Sequence, residues 1–96
     1  MKRPCVYILA SKPNGTLYIG VTSDIAKRSW EHGSEAVDGF TKRYGVHRLV
    51  HVEFHATMAD AIVREKQMKK WRRAWKIELI VAHNPQWRDL ADDIQK

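Results

Sequence analysis

A mixed α/β domain of the α+β kind, with a small three-stranded antiparallel sheet flanked by helices, is the fold that this 96-residue sequence predicts. Three observations carry that reading. Two alternating apolar runs are joined across Asn14-Gly15, a third alternating run surrounds Val50, and the rest shows helix start and stop signals. The element order is β-β-α-(α)-β-α-α-α, in a single domain spanning residues 1–96.

Residues 4–22 read as a hairpin. Val6, Ile8 and Ala10 alternate with Cys5, Tyr7 and Leu9, and the run Thr16 to Thr22 follows Lys12-Pro13-Asn14-Gly15. A two- or four-residue loop pairs residues whose numbers sum to 29 or 27. Either register puts Val6, Ile8, Ala10, Leu17, Ile19 and Val21 on one face, all apolar, as a buried face requires. Tyr7, Tyr18 and Gly20 then share the opposite, open face. Thr22-Ser23-Asp24 starts a helix that runs to about His32 and stops at Gly33. A short helix near 35–38 is compatible with the irregular stretch up to Gly45. Residues 46–55 form the third strand. Thr57-Met58-Ala59-Asp60 is an acidic capping box opening a helix to about Trp71. A helix from about Trp75 to Ala82 follows, and Pro85 opens a last short helix through Ile94.

Composition narrows the function classes. Hydrophobic residues are 44% and charged residues 29%, which fits one modest folded core and excludes a disordered chain. No apolar run approaches the roughly 18 residues of a membrane span, and no leader-like segment is legible, so no membrane association is expected. One cysteine, Cys5, points to a reducing cytoplasm and to packing as a small hydrophobe. A formal charge of +6 favours polyanionic partners.

Several constellations could carry chemistry. The tyrosine pair could orient a phosphate or a water, or it could pack beneath a helix. Arg28 and His32, four apart, share a helix face suited to phosphate binding and proton transfer, or that face is merely solvated. Glu65 falls within the apolar stripe of Met58, Ala61, Ile62 and Met68, where a carboxylate needs a metal or an ion pair, and Lys69 offers the pair. Residues 64–76 carry seven cations, including Lys69, Lys70, Arg72 and Arg73, interleaved with Trp71 and Trp75. Such a run suits phosphate tracking, while the tryptophans also suit a core role. His47, His51 and His55 are too far apart on a strand, about 13 Å over four residues, to share one ion.

Taken together, certain segments resemble the GIY-YIG endonuclease family over nearly the whole chain. They are Tyr18-Ile19-Gly20-Val21-Thr22-Ser23-Asp24, Lys27-Arg28, Glu31-His32, Arg64-Glu65-Lys66-Gln67-Met68-Lys69 and Asn84-Pro85-Gln86-Trp87. The likeness is greatest to small single-domain bacterial members, related to the nuclease module of the excision-repair incision subunit. The first triplet reads Cys5-Val6-Tyr7 rather than Gly-Ile-Tyr, so a side chain stands where the family often has none.

The resemblance implies metal-dependent hydrolysis of a DNA phosphodiester, linked to DNA repair or processing. It casts Glu65 as the single metal-ligating carboxylate, for Mg²⁺ or a similar cation such as Mn²⁺. Tyr7 activates or orients the attacking water, Tyr18 positions water or phosphate, Arg28 clamps the scissile phosphate, and His32 supports the site. Gly20, Lys42, Tyr44 and Asn84 join the basic run as expected substrate contacts. RNA remains open as a substrate, as does a protein partner that supplies specificity. The competing function is a non-catalytic nucleic-acid-binding or protein-interaction module on the same scaffold.

Overall fold

The computed structural model describes residues 2–33 and 44–94. Its elements are β1 (Cys5–Ala10), β2 (Leu17–Thr22), α1 (Ile25–Gly33), β3 (Arg48–Phe54), α2 (Met58–Lys69), α3 (Arg73–His83) and α4 (Ala91–Ile94). The short helix expected near 35–38 lies outside the described residues.

The sheet is antiparallel with the order β2-β1-β3, so β1 is central and β2 is an edge strand. Ala10 pairs with Leu17 and Tyr7 with Gly20, which is the register summing to 27. The loop is the four-residue one. Ser11 N–H donates to the Thr16 carbonyl at 3.0 Å, and Gly15 N–H donates to the Lys12 carbonyl at 2.9 Å. Asn14 takes the left-handed turn position at φ 60°, which Asn tolerates better than most residues.

Both faces of the sheet are covered. On one face Val6, Ile8, Ala10, Ile19 and Val50 pack with Ala61 and Met68 of α2, Ile80 of α3 and Trp87. On the other, Cys5, Tyr7 and Leu9 pack with Ile25 of α1, Val46 and Leu49, with Leu90 and Ile94 against them. The expectation of one core and an open tyrosine face is therefore corrected. α1 and the C-terminal segment close that face, and every β1 residue is buried. Cys5 packs there as a small hydrophobe, and burial pushes its thiol up to about 11.

Capping chemistry sets the helix boundaries. The Asp24 carboxylate accepts from Lys27 N–H at 3.2 Å, and the Thr57 hydroxyl accepts from Asp60 N–H at 3.1 Å. The last helix is shorter than the sequence suggests, and Pro85 does not open it. Trp87 sits at φ 54°, incompatible with a right-handed helix. The Asn84 amide also holds the backbone of Arg88, accepting from its N–H at 3.0 Å and donating to its carbonyl at 2.9 Å.

A bulge between β1 and β3 moves the register from Ile8–His51 to Leu9–Leu49, leaving Val50 over. Val50 turns into the core beneath α2 and α3, and its carbonyl accepts from Asn84 Nδ2 at 3.2 Å.

Gly20 carries a direct constraint. A Cβ there would lie 2.4 Å from both Cζ and Oη of Tyr7, far inside contact distance. Gly20→Ala should therefore destabilise the fold by about 1 to 3 kcal/mol, as overpacking does. Combining it with Tyr7→Leu should cost less than the sum of the two single changes, as read from urea unfolding midpoints.

Candidate active site

Strand pairing places Tyr7 opposite Gly20, with Tyr18 one pleat further along on the same face. The two tyrosine rings meet with centroids 6.4 Å apart at a 41° tilt. Tyr7 is 1% exposed, whereas Tyr18 is only partly covered. α1 brings Arg28 to the Tyr7 hydroxyl, where the guanidinium donates a hydrogen bond. Burial first, and then the neighbouring Tyr18, lift the Tyr7 phenol well above its ordinary value, while Arg28 pulls it part of the way down. Burial disfavours the Arg28 charge, yet Tyr7 and Glu31 outweigh it and raise the guanidinium. Arg28 keeps 40% of its side chain exposed, and its contact with Glu31 is loose at 3.5 Å. It can therefore bond Tyr7 and still meet an anion from solvent.

Glu65 sits on α2, which packs against β2 and β1 through Ala61 and Met68. Its side chain is 14% exposed and pairs with Lys69 Nζ at 3.4 Å, while Lys69 remains 54% exposed. Lys69 also lines a cleft of about 380 Å³ with Leu17, Tyr18, Ile19 and Lys76. Leu17 and Ile19 belong to one face of the sheet and Tyr18 to the other. The cleft thus lies along the outer edge of β2, where the two faces meet. A second cleft, about 290 Å³, opens at the far end of the same strand, where Lys2, Lys27 and Arg28 share the wall with the carboxylates Asp24 and Glu31. Gly20 lies between the two clefts on the strand.

Other expected contacts sort unevenly. Tyr44 is exposed beside Gly45, which takes φ 64°. Lys70 caps α2 and is exposed, and Arg72 precedes α3 with its guanidinium 5.4 Å from the Trp75 ring. Two expected contacts have competing uses inside the protein. Arg73 Nη2 donates to the carbonyls of Asn14 and Gly15, at 2.7 and 2.5 Å, and so fastens the hairpin turn to α3. Asn84 is buried, with its amide spent on Val50 and Arg88. Lys42 and the side chain of His32 lie outside the described residues, although the His32 backbone is in α1.

Residues 3–78 match the GIY-YIG catalytic domain. The chain belongs to the GIY-YIG family. A UPF0213 protein of Syntrophus aciditrophicus is 39% identical over 87 residues, covering 90% of this chain and 98% of its relative. One from Staphylococcus saprophyticus is 34% identical over 80 residues, covering 83% and 96%. The solution NMR structure of a UPF0213 protein from Bacillus halodurans superposes with a TM-score of 0.56 at 26% identity, covering 91% and 92%. The α+β architecture is therefore that of a GIY-YIG domain. Membership implies a nuclease-type domain acting on nucleic acid, in a family that generally uses divalent cations. No helix among the described residues is long and apolar enough to cross a membrane.

One charged cluster of this GIY-YIG domain escaped the sequence reading. Glu53 on β3 takes a two-pronged bond from Arg64, Nε at 2.9 Å and Nη2 at 3.0 Å. His51 Nε2 lies 2.9 Å from the same carboxylate, and His55 Nε2 lies 3.5 Å from it. The signal was present as a carboxylate between two histidines at alternate positions, His51 in β3 and His55 just past its end. Its acceptor for Arg64, eleven residues on, was not legible. Burial alone would raise the Glu53 carboxyl, but the His51 and Arg64 hydrogen bonds prevail and hold it at about 2.

A depressed carboxylate stabilises the fold above its unfolded value and stops doing so as it protonates. Glu53 is 18% exposed, so its contribution reaches about 3 kcal/mol at neutral pH. Stability should fall as pH drops from about 5 towards about 2. Glu53→Gln should flatten most of that acid limb, measured as urea midpoint against pH.

Proposed function

We propose that the chain is a metal-dependent endonuclease that hydrolyses DNA phosphodiesters at the outer edge of β2, in DNA repair or processing. The observation that carries this reading is that partly covered Tyr18 and Arg28 line clefts towards opposite ends of the edge strand, with the nearly buried Glu65 carboxylate paired to Lys69 in the wall of the first. Edge placement resolves how residues from opposite faces of the sheet serve one substrate. A central strand would separate them.

Glu65 fits a divalent cation. Its carboxylate is a hard oxygen donor whose neighbouring charge is a loosely held lysine, 3.4 Å away. Among the described residues no group of three or more His, Cys, Asp or Glu surrounds it, so water and phosphate oxygens would complete the shell. Mg²⁺ or Mn²⁺ bound there would supply Lewis-acid stabilisation of the phosphate charge.

The two tyrosines take different parts. Tyr7 stays protonated and buried, so it does not touch the attacking water; it positions Arg28 and the strand edge. Tyr18, partly exposed in the cleft, orients the water whose oxygen attacks phosphorus as the bond to one sugar oxygen breaks. Arg28 binds the non-bridging oxygens and stabilises the charge growing on them. His32, four residues on, supports that end of the site. In this reading a protein partner supplies sequence specificity.

Glu65→Ala should abolish Mg²⁺-dependent plasmid nicking while leaving DNA binding equal or slightly tighter, because removing a carboxylate removes repulsion from phosphate. Cleavage by that variant at the parental rate would return the binding-module reading to first place. Tyr18→Phe should lower the cleavage rate at an unchanged melting temperature, whereas Tyr7→Phe should shift both.

Salt dependence offers a separate check. Seven cations lie in residues 64–76, and two of them, Arg64 and Arg73, are engaged inside the fold, which leaves five. This run should contribute at most about −4.5 to the log–log slope of affinity against salt. Lys70→Ala should reduce the slope by about 1, and Arg73→Ala should reduce thermal stability more than the slope.

A further inference from the structure

The corner between α2 and α3 carries two tryptophans with different duties. Trp71 is an anchor. It packs against the core, and Arg64 lies 4.9 Å over its ring, itself fixed by Glu53. Trp75 meets Trp71 edge to face at 6.3 Å, so its indole is braced from behind. Yet Trp75 is 49% exposed. Beyond it, Glu78, Leu79 and Ala82 complete an open groove of about 430 Å³ with the two indoles.

We infer that this groove binds one unpaired nucleobase and that Glu78 selects bases bearing an exocyclic amino group. Three features favour this occupant. Trp75 offers a π-face, on which any base stacks. Arg72, 5.4 Å from that ring, supplies charge for the attached phosphate. Lys76, the next residue, already lines the cleft at the β2 edge with Lys69, so a strand leaving that cleft reaches Trp75 along a cationic path. An apolar peptide would leave Arg72 at the Trp75 ring and Glu78 in the groove wall without polar partners of its own.

Glu78 adds the selectivity. A carboxylate accepts from the amino group of cytosine, and by the same chemistry from that of adenine or guanine. Thymine and uracil present only carbonyl oxygens on either side of their ring N–H, and the carboxylate repels these. The substrate class follows: DNA with a single-stranded or extruded nucleotide beside the cut, rather than continuous duplex. The inference rests on the nuclease reading for its polymer, but not on the chemistry assigned to Glu65.

The test uses the full chain carrying Glu65→Ala, so that binding is read without cleavage. Fluorescence anisotropy would compare labelled deoxycytidine and deoxythymidine homopolymers and a blunt duplex. The cytidine strand should bind about tenfold tighter than the thymidine strand. Trp75→Ala should weaken both single strands about tenfold and leave the duplex unchanged, and Trp75→Phe should restore most of the loss. Glu78→Gln should erase the preference between the two strands, because an amide can also donate to a carbonyl. Equal binding of the two strands by the parent would overturn base selection. Unchanged single-strand affinity in Trp75→Ala at a parental melting temperature would overturn the groove itself. So would a dimer in sedimentation that Trp75→Ala dissociates, since the groove would then bury a second copy. Residual nicking by Glu65→Ala would sink the proposed active site and leave these comparisons standing.

Discussion

The seating of the Tyr7 ring on Gly20 is the contact on which the rest of this molecule depends. Across one strand pair, a phenol lies where any side chain at position 20 would collide with it. The seat lets the ring lie flat against β2 and lets α1 close over it, so that Arg28 reaches the hydroxyl. A buried phenol needs a hydrogen-bond partner, and the partner here is a cation that keeps 40% of its side chain exposed. One steric accommodation thus couples the second core to the candidate site. It also explains why Tyr7 is a poor proton acceptor. The burial that fixes Arg28 disfavours the phenolate.

A second fastening works from the other side. Asn84 ties the end of α3 to the bulged residue Val50 and to the backbone of Arg88. The segment after it then runs along β3, where Leu90 N–H donates to the Leu49 carbonyl at 2.7 Å. This route carries Leu90 and Ile94 under the tyrosine face, and Trp87 into the opposite core. A buried amide with its donors and acceptor all used is costly to disturb, so its value here is architectural. Arg73 likewise fastens the hairpin turn with its guanidinium, although the residue stays exposed. Arg64 spends its charge on Glu53, whereas Arg73 bonds neutral carbonyls and keeps its charge at the surface.

The sheet order then sets which strands can offer both of their faces to solvent. With β1 central and buried, only an edge strand can present residues from both faces to one solvent region. β2 is that strand. It exposes Tyr18 towards Lys69, the partner of Glu65, and its far end opens beside Arg28. The opposite edge is used differently. There Glu53, Arg64 and the flanking histidines form a compact ionic knot, and the C-terminal segment covers part of the strand.

What the sequence determined by itself was local or periodic. Alternation and the Asn14-Gly15 turn fixed the hairpin register, because a one-residue slip would have turned six apolar side chains to the wrong face. Capping residues set the starts of α1 and α2, because their oxygens satisfy backbone N–H groups within three residues. The tyrosines as neighbours and the odd placement of Glu65 were legible for the same reason. Tertiary structure alone decided the long-range matters. It covered the tyrosine face, since nothing local says where α1 and α4 will pack. It bonded Arg73 to the hairpin turn and buried Asn84 against β3, since their acceptors lie 59 and 34 residues away. It stopped Pro85 from opening a helix, since the Asn84 amide and the left-handed Trp87 hold the chain in another shape. A side chain's type and spacing reveal what it is able to bond; which partner it meets depends on packing between distant segments, and that is settled only when the whole core closes.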